Sequence, residues 1–211
     1  MGHAVDDTLT LQRIPGKTAK EVASQADLHG PALALLKPEQ SPREYLVALL
    51  QAEMYPQAIR FLAVGLPRRE GIWWAALFLL WAGAGKLHSD DARALKAIMH
   101  WVIEPDEATR KATGEFMRTG VPSGHLARAV FNTGGSLNPP RYPVRPPNPQ
   151  ATPRAITSTI TGVALQRGGA SYTRYLRQAI ALGMHIARGH YLWQCAPGPL
   201  PRPDLHRVLG S

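Results

Sequence analysis

Cysteine is almost missing from this sequence: Cys195 is the one residue of its type in 211. That excludes an internal disulfide framework and a cysteine-based zinc site. Long apolar runs are missing too. The most apolar stretch, Ile72 to Ala84, spans 13 residues, short of the roughly 20 that a membrane-spanning helix needs. It has no charged opposite face, so an interfacial membrane helix is not expected either. A buried core helix is the better reading. No basic segment followed by an apolar run opens the chain, so no secretory signal is expected and a cytoplasmic location is.

Alternating β-branched residues, the mark of half-buried strands, do not occur in any sustained run. Catalytic signatures are lacking as well. Gly83-Ala84-Gly85-Lys86 superficially suggests a phosphate-binding loop. However, Leu80 stands where the first glycine belongs, Leu87 replaces Ser/Thr, and the preceding segment reads as helix. His100 and Glu104 could share a helix face, but two groups make no metal site and no H-E-x-x-H occurs. His185 and His190, five apart, do not align on a helix. Cys195 has no base positioned nearby in sequence, and no G-x-S-x-G appears. No cofactor, metal or catalytic residue is therefore expected.

Acidic residues all but vanish from the second half. Residues 108–211 carry 13 Lys+Arg and only two acids, Glu115 and Asp204, whereas residues 1–107 are close to neutral. Such asymmetry points to an acidic partner for the second half.

What the sequence does have is helix punctuation. Ser41-Pro42-Arg43-Glu44 reads as a capping box with proline at the first helical position. Behind it Leu46, Leu49, Leu50 and Met54 line one face. Pro56 and Pro67 open two further helices and Gly65 closes the first of them. Ser89-Asp90-Asp91 offers a cap and first-turn acids, with Leu95, Ile98, Met99 and Val102 inward. Glu104 to Glu107 starts another helix that Gly120 closes, and Pro122-Ser123 starts a short one. An early helix is expected over Ala19 to Leu28. Residues 134–153 then hold seven prolines in twenty, which no helix or central strand accommodates. This is an extended, polyproline-like connector. It is expected to lie across the helices as a docked strap anchored by Tyr142 and Val144, the alternative being a free linker. Thr152-Pro153 caps the next helix, and Ser171 starts the last long one, with Leu176, Ala179, Gly183 and Ile186 inward.

The expected fold is all-α, a compact array of seven to eight helices packed as helical hairpins. Its expected divisions are a flexible N-terminus over 1–16, a helical core over 17–133, the connector over 134–153, a C-terminal helical pair over 154–196 and a proline-rich tail over 197–211.

Pro67-Arg68-Arg69-Glu70-Gly71-Ile72-Trp73-Trp74-Ala75 resembles an L-P-x-R-E-x-x-W-W-A segment of a family of bacterial all-helical proteins of unassigned function. Trp101-Val102 with Pro105, and Gly135-Ser136-Leu137 with Pro139-Pro140, are similar to later landmarks of that family. The resemblance covers residues 42–165. It implies a buried Trp helix with a charged first turn and a Gly/Pro-rich exit. It also implies an association, for some members, with type VI secretion genes. It carries over no catalytic residue.

The expected function is a non-enzymatic helical adaptor or accessory protein. Its partner would be a protein, such as a secreted effector or spike component. Candidate partner-binding residues are Arg68 and Arg69 in the first turn of the Trp helix and Trp74 and Trp81 along it. Tyr142 and Arg145 represent the connector. Arg174, Arg177 and Arg188 lie on the basic face of the last helix. Core packing is nonetheless the plainer reading of the tryptophans, and a solvated face that of the arginines. The alternative function is association with nucleic acid through the basic second half.

Overall fold

Side-chain caps and prolines set most helix starts. The computed structural model describes residues 11–14, 16, 18–83, 87–138 and 141–194. Thr18 and Glu21 form a capping box that opens α1 (Ala19–Ala23). Pro31 takes the first position of the single-turn α2 (Pro31–Ala34). Ser41 and Glu44 cap α3 (Pro42–Gln51) reciprocally. The Glu44 N–H donates to Ser41 Oγ at 3.2 Å and the Ser41 N–H to Glu44 Oε2 at 2.8 Å. The chain continues through α4 (Tyr55–Gly65), α5 (Arg68–Ala82) and α6 (Ser89–Ile103). Asp106 and Thr109 cap α7 (Glu107–Ala112), which tightens into a 3-10 turn over Thr113–Phe116. Then come α8 (Pro122–Phe131), α9 (Ala151–Gln166), a 3-10 turn over Gly169–Ser171, and α10 (Tyr172–Ala187). The described residues are all-helical and include no strand.

Helix α5 is the hub. Eleven of its 15 residues are buried, and past its charged first turn it is apolar all round, as a helix enclosed by neighbours must be. It packs against α6, α8, α9 and α10, while α9 rests on α4 and, most extensively, on α8. Helix α10 closes the other side of α5 and also touches α4 and α9. Two glycines allow close approach, one to a side chain and one to backbone. A Cβ on Gly183 of α10 would lie 2.8 Å from Trp74 Cε2, and one on Gly124 of α8 would lie 2.0 Å from the Arg118 carbonyl oxygen. Buried hydroxyls satisfy themselves on backbone: Thr152 Oγ1 donates to the Ala129 carbonyl at 3.1 Å and Thr159 Oγ1 to that of Ala155 at 2.9 Å.

Several sequence expectations shift. There are ten α-helices among the described residues rather than seven or eight, the extra ones being short pieces. The early helix stops at Ala23, not Leu28, and Asp27 beyond it takes φ 51°. The helix expected from Glu104 to Gly120 starts at Glu107, because Asp106 is the residue whose side chain caps it. Ser89 lies inside α6 instead of capping it. Helix α9 begins at Ala151, so the connector ends at Gln150, and Thr152 is a buried anchor, not a cap.

Within the N-terminus expected to be flexible over 1–16, Leu11 and Ile14 depart from that expectation. Both are buried in the core, and the Arg13 N–H donates to the Ala187 carbonyl at 2.8 Å. Residues 1–10, Gly85-Lys86, Pro139-Pro140, Cys195 and the tail 197–211 lie outside the described residues.

Candidate functional site

Between α8 and α9 the chain leaves the helical body and returns, and the route is fixed at its base. Arg110 of α7 is almost wholly buried and grips this base. Its Nε and Nη2 donate to Glu107 at 2.7 and 2.8 Å, and Nη1 donates to the Phe131 carbonyl. The guanidinium also lies 4.7 Å from the Phe131 ring centroid. This hydrogen bond and charge hold the Glu107 carboxyl at about 2, well below the usual carboxylate range. Gly135, at φ 66°, passes directly over that ion pair, where a Cβ would meet Arg110 Nη2 at 2.6 Å. Arg68 at the start of α5 donates to the Thr133 carbonyl on the same side.

Above the base the loop closes on itself. The Leu137 N–H donates to the Arg145 carbonyl at 2.8 Å, and the Arg145 N–H to Ser136 Oγ at 3.1 Å. Asn138 Nδ2 donates to the Pro143 carbonyl at 2.8 Å, and its own N–H to Ser136 Oγ at 3.0 Å. Residues 136–138 thus clasp 143–145, and residues 141–146 are exposed. Tyr142 is 52% and Val144 79% exposed. The strap anchored by Tyr142 and Val144 is therefore corrected: these two side chains point to water, and the loop's order comes from its own neck. The Arg141 guanidinium lies 5.2 Å from the Tyr142 ring. Arg141 and Arg145 have no acidic counterweight in this part of the chain, since no Asp or Glu occurs between Glu115 and Asp204.

The other predicted residues fare differently. Trp74 is fully buried, with Nε1 donating to the Ala179 carbonyl at 2.7 Å, so it is core and no partner pocket. Trp81 is half-buried against Phe78 and Tyr175, with centroids at 5.9 and 5.6 Å. Arg69 spends its donors on the C-terminus of α6: Nε on the Val102 carbonyl at 2.6 Å and Nη2 on that of Ile103 at 3.0 Å. These are end carbonyls that lack helical partners. Its face also covers Trp193 at 4.1 Å.

Arg174 of α10 is exposed beside Tyr175, but Arg177, and Arg188 just past the helix end, are half-buried. Burial, and then the charge of Arg43, push the Arg188 guanidinium down from its ordinary value. The three arginines do not make one solvated face.

His100 Nε2 and Glu104 Oε2, both exposed, lie 3.3 Å apart. Among the described residues no group of three His, Cys, Asp or Glu could hold a metal ion. Nor is any helix among them long and apolar enough to cross a membrane.

Sequence reasoning missed the segment after α10. Tyr191, at φ 56°, turns the chain so that its carbonyl accepts from Trp73 Nε1 at 2.6 Å, and the Trp193 ring meets Trp73 edge-on at 6.4 Å. The turn also brings the rings of His185 and His190 to 5.8 Å. No periodicity signals a return of this kind.

A model of DUF6931, a family of unknown function, matches residues 45–187. That span runs from α3 through α10 and includes the whole loop. No curated protein and no solved structure gives a significant match.

Proposed function

The chain belongs to the DUF6931 family, and we propose that within it the protein serves as a non-enzymatic helical adaptor that docks a protein partner on the loop between α8 and α9. The observation that carries this reading is the loop's neck. Three hydrogen bonds hold residues 136–138 against 143–145, a fourth braces Asn138 on Ser136, and Tyr142, Val144 and two arginines are left in water. Tyr and Arg supply much of the binding energy of protein interfaces. A loop already ordered loses less entropy on binding than a free one. The partner is acidic, matching Arg141 and Arg145. The resemblance of Pro67 to Ala75 supports a secreted effector or spike component of a type VI secretion system as that partner, met in the cytoplasm.

Affinity purification with the full chain, before and after nuclease, tests the reading. The double variant Tyr142→Ala/Arg145→Glu alters only exposed side chains and should leave the melting temperature unchanged. It should lose a nuclease-resistant protein that the wild type retains. Equal recovery by both forms would sink the loop as the docking site. A complex that nuclease dissolves would favour nucleic acid instead.

A further inference from the structure

We infer that residues 142–148 dock as a left-handed polyproline ridge, and that the partner receives it in an aromatic-lined groove rimmed by carboxylates. This rests on the docking role proposed above and names how the docking is done. The sequence there is Tyr142-Pro143-Val144-Arg145-Pro146-Pro147-Asn148, followed by Pro149. Each proline fixes its own φ near −65°. Each residue before a proline is pushed out of the helical region into the extended one. Tyr142, Arg145, Pro146 and Asn148 all precede a proline. Val144 is thus the one residue of the seven that neither is a proline nor precedes one. No residue of the stretch has positive φ, and residues 143–148 belong to no helix, strand or turn.

A polyproline helix repeats every three residues. Pro143 and Pro146 therefore fall on one edge, a P-x-x-P pair, with Arg145 beside them and Arg141 just before. Both prolines and both arginines are exposed. Such a ridge has no internal hydrogen bonds to give up and little conformational freedom to lose. Grooves lined by aromatic side chains exploit this when they take P-x-x-P segments. The arginines set polarity, since they meet carboxylates at one end of the groove. A strand-like docking mode would instead need free N–H groups in alternation, and three prolines in seven residues remove nearly half of the donors.

The test uses the full chain with photo-crosslinking p-benzoylphenylalanine placed at Tyr142, expressed in the cells that naturally produce the protein. A matching probe at Leu165, exposed on α9 far from the loop in sequence, serves as the control. The Tyr142 probe should capture one protein, through a segment rich in aromatic and acidic residues. Pro143→Ala/Pro146→Ala should lower that yield at least tenfold with an unchanged melting temperature, because the Asn138 bond to the carbonyl of residue 143 survives the change. Yield falling with Arg141→Glu/Arg145→Glu but not with the proline pair would overturn the ridge and leave the docking role standing. Capture of nucleic acid or of a second copy of this chain, or no capture above the Leu165 control, would overturn both.

Discussion

Gly183 and Trp74 form a single packing decision between α5 and α10. Alanine is the better helix former by about 1 kcal/mol, so a surface glycine at position 183 would gain from replacement. Here the added methyl would meet the fully buried indole at 2.8 Å, and the ring has no room to swing. Gly183→Ala should therefore destabilise the fold, by about 1–3 kcal/mol, as overpacked cores do. Trp74→Phe should cost stability alone but relieve part of the penalty in combination. A double-mutant cycle in urea should show a coupling of about 1 kcal/mol or more; simple additivity would refute the close approach. At this scale the sequence was half legible. Gly183 and Ala179 could be placed on the inward face by period alone. That Trp74, not a partner, fills the space above them could not, since an indole with a satisfied N–H suits a core and an interface equally.

Among the elements, the reciprocal capping box of α3 was read well, whereas single cap candidates such as Ser89 and Thr152 were not, nor were pairings made with distant partners. Ser41, Pro42 and Glu44 specify the start of α3 within four residues, and six prolines before Ala151 exclude helix and strand from the connector, while the seventh, Pro153, is accepted in the first turn of α9. The pair Glu107–Arg110 is different, because its purpose lies outside α7. It holds the Phe131 carbonyl and supports Gly135 at the root of the loop. Glu107 has its carboxyl depressed to about 2. A depressed carboxylate stabilises the fold fully above its ordinary value of 4.5 and loses that contribution as pH falls through about 2. Glu44 and Asp106, lowered by their capping bonds, act in the same direction. The melting temperature should thus decline between pH 4.5 and 2. Glu107→Gln should be less stable at pH 7, by about 1–3 kcal/mol, because it leaves the buried Arg110 poorly paired. It should also lose less on acidification than the wild type. Parallel acid titrations of the two melts would show curves of equal slope if the pair were without effect.

For the molecule as a whole, the sequence made the all-helical class plain and the net charge of +9 conspicuous, but not how that charge is spent. Much of it is committed within the fold. Arg110 answers Glu107, Arg118 answers Asp90 at 2.9 Å, and Arg154 answers Asp27 at 3.6 Å. Arg68 and Arg69 cover backbone carbonyls, and Arg188 is half-buried near Arg43. Apart from Arg110 with Glu107, three residues away, these are contacts over separations that a linear reading of charge cannot see. Nucleic-acid affinity grows with the number of phosphates neutralised at once, and each released counterion steepens the salt dependence. A surface whose cations are dispersed and engaged neutralises few. At about 150 mM salt, a short DNA duplex or RNA hairpin should bind no more tightly than the nonspecific range of about 10⁻⁴ to 10⁻⁶ M. Arg174→Glu/Arg177→Glu should hardly change that weak binding, whereas it should fall measurably if α10 were a phosphate-tracking face. Saturable nanomolar retention in a mobility-shift experiment at that salt, lost in the α10 variant, would reverse the preference for a protein partner and move the functional surface from the proline ridge to the last helix.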